Sequence, residues 1–260
     1  MIKRTRLAPI VAIALFGGIL TSLAYVSSPT SEIDLSGIIL CLSGNEPSSS
    51  VLDLLSLSTM YLPLYVFCAF SGTNLYRHFC TASVYIFSRQ PKRINWYVHE
   101  LVSLLMTVLV YQIVFIVAAL WMTSLKLHID IDRSGIILLV YYLAIQSLWT
   151  CSLSLMINIL SIWFGSDLGY AFGIGLKMVL ITLLAVQDLL AINPVSRLVF
   201  GWHKSENEIL GVVLDNTEYA LDIHFSLGYM IVICVFLLVG CGLVVVRHDL
   251  LVSNKETGGV

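Results

Sequence analysis

Charge is what this sequence has least of. Asp, Glu, Lys and Arg make up only 12% of its 260 residues, about half their share in soluble domains, and that scarcity excludes an ordinary water-facing surface. Histidine is missing from the interior of every long apolar run: His78, His99, His128, His203, His224 and His248 fall between runs or at their ends. That excludes a haem-holding bundle and an intramembrane metalloprotease, which need imidazoles at depth. Paired carboxylates are missing too, since Asp188 is the one acid within a run, so an intramembrane aspartyl protease lacks its second group. "AFSGTN" around Ser71 approaches a membrane serine-protease motif, but Ala69 stands where the glycine belongs and no later run offers a histidine base. "GIGLKM" has neither the spacing nor the Ser/Thr of a phosphate-cradling loop. With no CxxC and no Cys/His cluster, no metal site is expected either. The chain reads as a non-enzyme with no catalytic residue, no cofactor of its own and no nucleic-acid partner.

What is present is apolar sequence: 58% hydrophobic residues and a mean hydropathy of +0.91. Six windows near the roughly 20 residues that cross a bilayer as a helix can be marked: 7–26, 54–71, 101–123, 134–160, 168–192 and 225–246. Alternating strand-length segments of a membrane barrel are absent, so the expected fold is all-α, one transmembrane domain over 1–260. Basic residues near span ends stay in the cytoplasm. With the N-terminus inside, Lys3, Arg4, Arg6, Arg77, Arg89, Lys92, Arg93, Arg247 and Lys255 are inner, against Lys126, Arg133, Arg197 and Lys204 outer. Both termini are therefore expected in the cytoplasm. "MIKRTRLAPIVAIALFGGILTSLAY" also reads as a signal peptide, with Ser22 and Ala24 placed like a cleavage site. Its removal would leave the other five spans unchanged. Only Cys41 falls in an outer segment, so no disulfide framework is expected.

The segments between spans differ. The first outer loop carries turn chemistry in "LSGNEPSSS". In the longest outer segment, Leu210, Val213, Leu214, Thr217 and Leu221 recur at helical spacing, which predicts short helices dipping to the interface. The long inner segment holds Leu75, Phe79, Ala82 and Ile86 at helical spacing. Pro91 then starts a second helix, "PKRINWYVHELV", that runs into the third span. The result is a helical elbow with Arg89, Lys92 and Arg93 at its tip, and Trp96 and Tyr97 at headgroup level. A topology signal needs only the charge; the helical patterning on both sides of the proline goes beyond it. Pro63 is expected to kink the second span.

One charge lies deep in a span. Lys177 continues the four-residue interval of Gly165, Gly169 and Gly173, so the four are expected on one helix face, about 13 Å from its inner end. Small residues at this interval let helices approach closely. A membrane-embedded lysine either snorkels, pairs within the bundle, or lines a pathway. Gln112, Gln146, Asn158 and Gln187 are candidates of the same kind, for a pathway or for interhelical hydrogen bonds.

Six spans, a basic elbow after the second, the tight inner turn "SIWFGSD" after the fourth and a long partly apolar outer loop after the fifth resemble the permease subunit of type-2 ATP-binding-cassette transporters, the exporter group with bacteriocin, lantibiotic-immunity and antibiotic-efflux permeases. The only local echo is "SRQPKRINWYVHEL". The resemblance implies export of a peptide, antibiotic or other amphipathic substrate across a bacterial cell membrane. It also implies a separate ATPase subunit carrying ATP and Mg²⁺, a second permease as homo- or heterodimer partner, and an ATPase-coupling segment formed by Arg89, Pro91, Lys92, Arg93, Trp96 and Tyr97. Members of the group commonly carry an amphipathic helix before the first span; here only "MIKRTR" precedes it. The alternative is a motor-free immunity or scaffold protein of six spans.

Overall fold

The computed structural model of the chain describes residues 4–26, 32–44, 57–85, 93–207, 209–214 and 221–247. Among the described residues the α-helices are α1 (Arg4–Val26), α2 (Leu35–Ser43), α3 (Leu62–Ser71), α4 (Asn74–Tyr85), α5 (Arg93–Ser124), α6 (Arg133–Phe164), α7 (Ser166–Thr182) and α8 (Ile223–Arg247). Four of them, α5, α6, α8 and α7 with the turn that follows it, are long and apolar enough to cross a membrane, and α1 adds a shorter apolar stretch, Leu7–Leu23. At 32 residues, α5 is about 48 Å long, well beyond the roughly 30 Å of hydrocarbon. Its first turns, which begin at Arg93, can therefore stand clear of the bilayer.

α6 is the axis of the molecule; α2, α3, α4, α5, α7 and α8 all pack on it. Asp132 starts it, its carboxylate accepting from the Gly135 amide at 2.9 Å and from the Ser134 hydroxyl. The same carboxylate accepts from the Ser36 amide at 3.2 Å, so one side chain serves the beginnings of both α6 and α2. A parallel pair of short strands, β1 (Glu32–Asp34) and β2 (His128–Asp130), holds these two starts side by side. Gly165 ends α6 with φ of +90°, a conformation that costs a side chain but not a glycine. α1 lies along α5, and a Cβ on Gly18 would collide with the backbone of Phe115. On α8, which packs on α6, Ser226, Met230, Cys234, Cys241 and Val245 are buried, while Val235, Val239 and Leu243 are exposed on its outer side.

Several boundaries differ from the sequence expectation. The first outer loop contains α2, whose Ile38, Ile39 and Leu42 are buried against the rest of the core. The described part of the second span is divided: the chain turns at Tyr61, Pro63 sits in the first turn of α3, and Gly72–Thr73 separate α3 from α4. The kink at Pro63 is thus present, as a break between short helices. The fifth span is shorter than 168–192. The Asn193 side-chain Nδ2 donates to the Leu180 carbonyl at 2.7 Å, Thr182 Oγ1 donates to the Met178 carbonyl at 3.0 Å, and the chain passes into 3₁₀ turns at Leu183–Ala185 and Gln187–Leu189. The helix expected over 210–221 is not formed in its described part. Leu210 and Leu214 are buried from turns, and Leu221–Asp222 (β4) pairs in parallel with His203–Lys204 (β3); residues 215–220 lie outside the described residues. Backbone pairing with β3 satisfies amides and carbonyls that a helix would have satisfied internally.

Candidate functional site

Lys177 is fully buried, and among the described residues its Nζ has no hydrogen-bond partner. Three aromatic rings surround it instead. Nζ stands 3.5 Å from the Tyr61 ring centroid, 5.1 Å from Tyr65 and 5.9 Å from Trp149, where ring quadrupoles attract a cation. The break at Tyr61 is what turns its ring inward, and Trp149 comes from the middle of α6. Gly169 and Gly173 bring α7 against α6 here: a Cβ on Gly169 would strike Ser161, and one on Gly173 would strike Ile157. These two glycines and Lys177 form one buried face at four-residue intervals. Gly165 does not extend that face, because it lies outside α7 as the turn residue between the helices.

The stem of Lys177 also helps to line a cavity of about 370 Å³ between α6, α7 and α8. Trp149, Leu153 and Met156 line it from α6, Leu176 and Leu180 from α7, and Phe236 from α8; its exposed wall is wholly apolar. On the other side of Tyr61 lies a much smaller cleft of mixed lining, about 30 Å³, bordered by Gln112, Gln146, Tyr111 and Tyr142 together with Leu64 and Phe115. There Gln112 donates to Thr150 Oγ1 at 3.0 Å and, at 3.5 Å, to the Gln146 carbonyl, joining α5 to α6. Gln112 therefore acts as an interhelical bond, and Gln146 borders the cleft. The side chain of Gln187 is outside the described residues.

Asn158 has a different position from the glutamines. Fully buried on α6, it accepts from the Tyr76 amide at 2.8 Å, donates to the Gly72 carbonyl and donates to the Ser154 carbonyl at 2.7 Å. It thereby satisfies backbone groups that the α3–α4 break leaves open. α4 is pinned further: Leu75 and Phe79 are buried, Phe79 lies 6.0 Å from the Trp96 ring, and His78 Nδ1 meets Glu100 at 2.7 Å. On the other arm of the elbow, buried Tyr97 donates to the Leu238 carbonyl at 2.7 Å, and half-buried Arg93 donates to the Val246 carbonyl at 3.2 Å. The elbow arms are thus tied to α6 and to α8, two of the three helices around the apolar cavity. Arg89, Pro91 and Lys92, named from sequence as coupling residues, lie outside the described residues.

At the opposite end a second polar cluster, unmarked in the sequence, closes the long loop. Arg197 is buried, donating to the Ser226 hydroxyl at 3.1 Å and the Ala191 carbonyl at 2.7 Å, with Phe225 and Tyr229 rings 5.2 and 5.5 Å from its guanidinium carbon. His203 is fully buried beside it, with Nδ1 3.0 Å from the Val199 carbonyl and Nε2 2.9 Å from Ser226 Oγ. The Val199 carbonyl holds the ring proton on Nδ1, and the single Ser226 hydroxyl proton lies between two acceptors, His203 Nε2 and the Asp222 carbonyl at 2.9 Å. Burial, reinforced by the Arg197 charge, pushes the His203 pKa down to about 4. The Asp132 carboxyl at this end moves below its ordinary value. Burial opposes that shift, but the Ser134 hydroxyl and the Ser36 and Gly135 amides outweigh it. The sequence signal for the latch was two ionisable residues, Arg197 and His203, inside an apolar loop; for the lysine cage it was Tyr61 and Tyr65 flanking Pro63.

Compared with protein-family models, curated proteins and solved structures, the chain matches none.

Proposed function

We propose that this chain is the membrane-spanning permease subunit of a type-2 ATP-binding-cassette exporter, driven by a separate ATPase subunit and paired with a second permease. In this reading the polypeptide crosses a bacterial cell membrane six times with both termini in the cytoplasm. Leu57–Ser71 belongs to the second passage; broken helices are tolerated at membrane depth where other helices bury them. The observation that carries the reading is the clamp of Asn158 on the Gly72–Tyr76 turn. A loop that serves insertion alone needs no such fastening, whereas a lever does. Force applied at the tip, by a motor protein gripping Arg89, Lys92 and Arg93, passes through α4 to α6 at Asn158 and through α5 to α8 at Tyr97. Those are the helices whose separation sets the width of the apolar cavity, so the lever ends where an amphipathic cargo would sit. ATP and Mg²⁺ belong to the partner; this chain contributes the lever and the path.

The test is purification of the tagged chain from its native membrane in mild detergent. A Walker-motif ATPase is expected in stoichiometric amount, and replacing Arg89, Lys92 and Arg93 by glutamate is expected to remove it while membrane insertion persists. A chain that arrives alone, or a triple variant that keeps its ATPase, contradicts the proposal and favours the motor-free scaffold.

A further inference from the structure

We infer that the cavity between α6, α7 and α8 is a binding site for a lipophilic acid, a hydrocarbon body carrying one anionic head that pairs with Lys177. Two independent features meet here. The first is a wall that exposes only apolar atoms, in a cavity of about 370 Å³, within the size range of small-molecule sites. The second is a fully buried ammonium group without a hydrogen bond. Among the described residues, neither the cage of Tyr61, Tyr65 and Trp149 nor the cavity wall includes a carboxylate. Aromatic faces attract a cation but accept no strong hydrogen bond from it, so its three N–H donors still lack an acceptor. A buried charge without a counter-ion is costly to keep, and an apolar residue of similar length would avoid that cost. An anionic head supplies the missing acceptor, and the apolar wall receives the attached chain.

The geometry supplies the approach as well. Trp149 belongs to both the cage and the cavity wall, and the Lys177 stem already lines the cavity. Rotation about the outer torsions of that stem carries the ammonium from the Tyr61 face to the cavity side, where head and chain are bound together. A neutral lipid of the same length gains only the wall. A hydrophilic anion gains only the lysine.

Trp149 is a built-in reporter. The intact chain in detergent micelles is titrated with 9,10-dibromostearate and with the corresponding dibromostearyl alcohol, and the bromine quenching that disappears in Trp149→Phe is assigned to the cavity. The acid is expected to reach half-quenching at about tenfold lower concentration than the alcohol, the scale of one charge-assisted hydrogen bond. Lys177→Met is expected to abolish that preference and Lys177→Arg to retain it. Dibrominated phosphatidylglycerol separates the sources: quenching by it as well assigns the site to bilayer lipid, and quenching by the stearate alone assigns it to a single-chain acid. Equal titrations for acid and alcohol, absence of Trp149-dependent quenching, or an acid preference surviving in Lys177→Met would each overturn the inference. No motor protein enters the experiment, so its outcome is independent of the permease reading.

Discussion

The two ends of the molecule solve the same problem, open backbone at the ends of long helices, in opposite ways. At the loop end the solution is a closed knot: Arg197, His203 and Ser226 bond to one another and to the carbonyls of Ala191, Val199 and Asp222. At the elbow end the bonds run pairwise between separate helices: Asn158 holds the α3–α4 turn at Gly72 and Tyr76, and Tyr97 and Arg93 hold α8 at Leu238 and Val246. A knot resists any displacement of its members, while pairwise ties let a helix move and make its neighbour follow. The difference teaches that the loop end is built as an anchor and the elbow end as a lever. Between them sits Lys177, a buried cation that neither arrangement satisfies among the described residues.

The comparison can be broken most forcefully at the anchor. Arg197→Met removes two charge-assisted bonds and strands the Ala191 carbonyl, with an expected loss of about 4 kcal/mol, measured by thermal unfolding in detergent. Acid does the same more gradually. The His203 pKa is about 4 in the fold against an ordinary 6.5, so between those values the unfolded chain binds more protons. Stability is full above about pH 6.5, falls as pH drops, and levels near pH 4, by on the order of 3 kcal/mol in all. His203→Gln is expected to flatten that dependence. At the lever, Asn158→Leu is expected to cost about 2 kcal/mol and, in the motor complex, to reduce transport per ATP hydrolysed. A lever whose ties were ornamental would lose stability alone.

Smaller effects sharpen the contrast. Asp132→Ala removes the shared cap of α2 and α6 and is expected to cost about 1.5 kcal/mol, seen as faster amide exchange at Ser36 and Gly135. Lys177→Met is expected to change stability by less than about 1 kcal/mol, and in the stabilising direction, because it deletes an unpaired buried charge. A large loss in that variant would make Lys177 a structural residue like Arg197.

How much of this was legible in the sequence depended on the range of the interaction. The apolar runs, the elbow's helical spacing and the four-residue interval of Gly169, Gly173 and Lys177 are local patterns; among the described residues four helices are long and apolar enough to cross a membrane, while the second run is divided and the fifth shortened. Gly165 shares the interval but not the helix, since a positive φ is set by the turn and not by spacing. α2 went unread because an apolar run of eight residues after Asp34 is too short to suggest a span, although Asp34 is a reasonable first residue for a helix. The aromatic cage and the bonds of Ser226 to Arg197 and His203 unite residues 23 to 116 positions apart; no periodicity announces such contacts. The end of α7 was missed for the same reason, because its Leu180 carbonyl is taken by Asn193 across thirteen residues.

Hydrogen–deuterium exchange on the chain bound to its ATPase, nucleotide-free and trapped with ATP and vanadate, tests the lever most directly. The account expects protection to change together at Gly72–Tyr76, around Asn158 on α6 and around Leu238 on α8, with the Arg197–Ser226 region unchanged. Changes confined to the elbow tip, leaving α6 and α8 as they were, would contradict it.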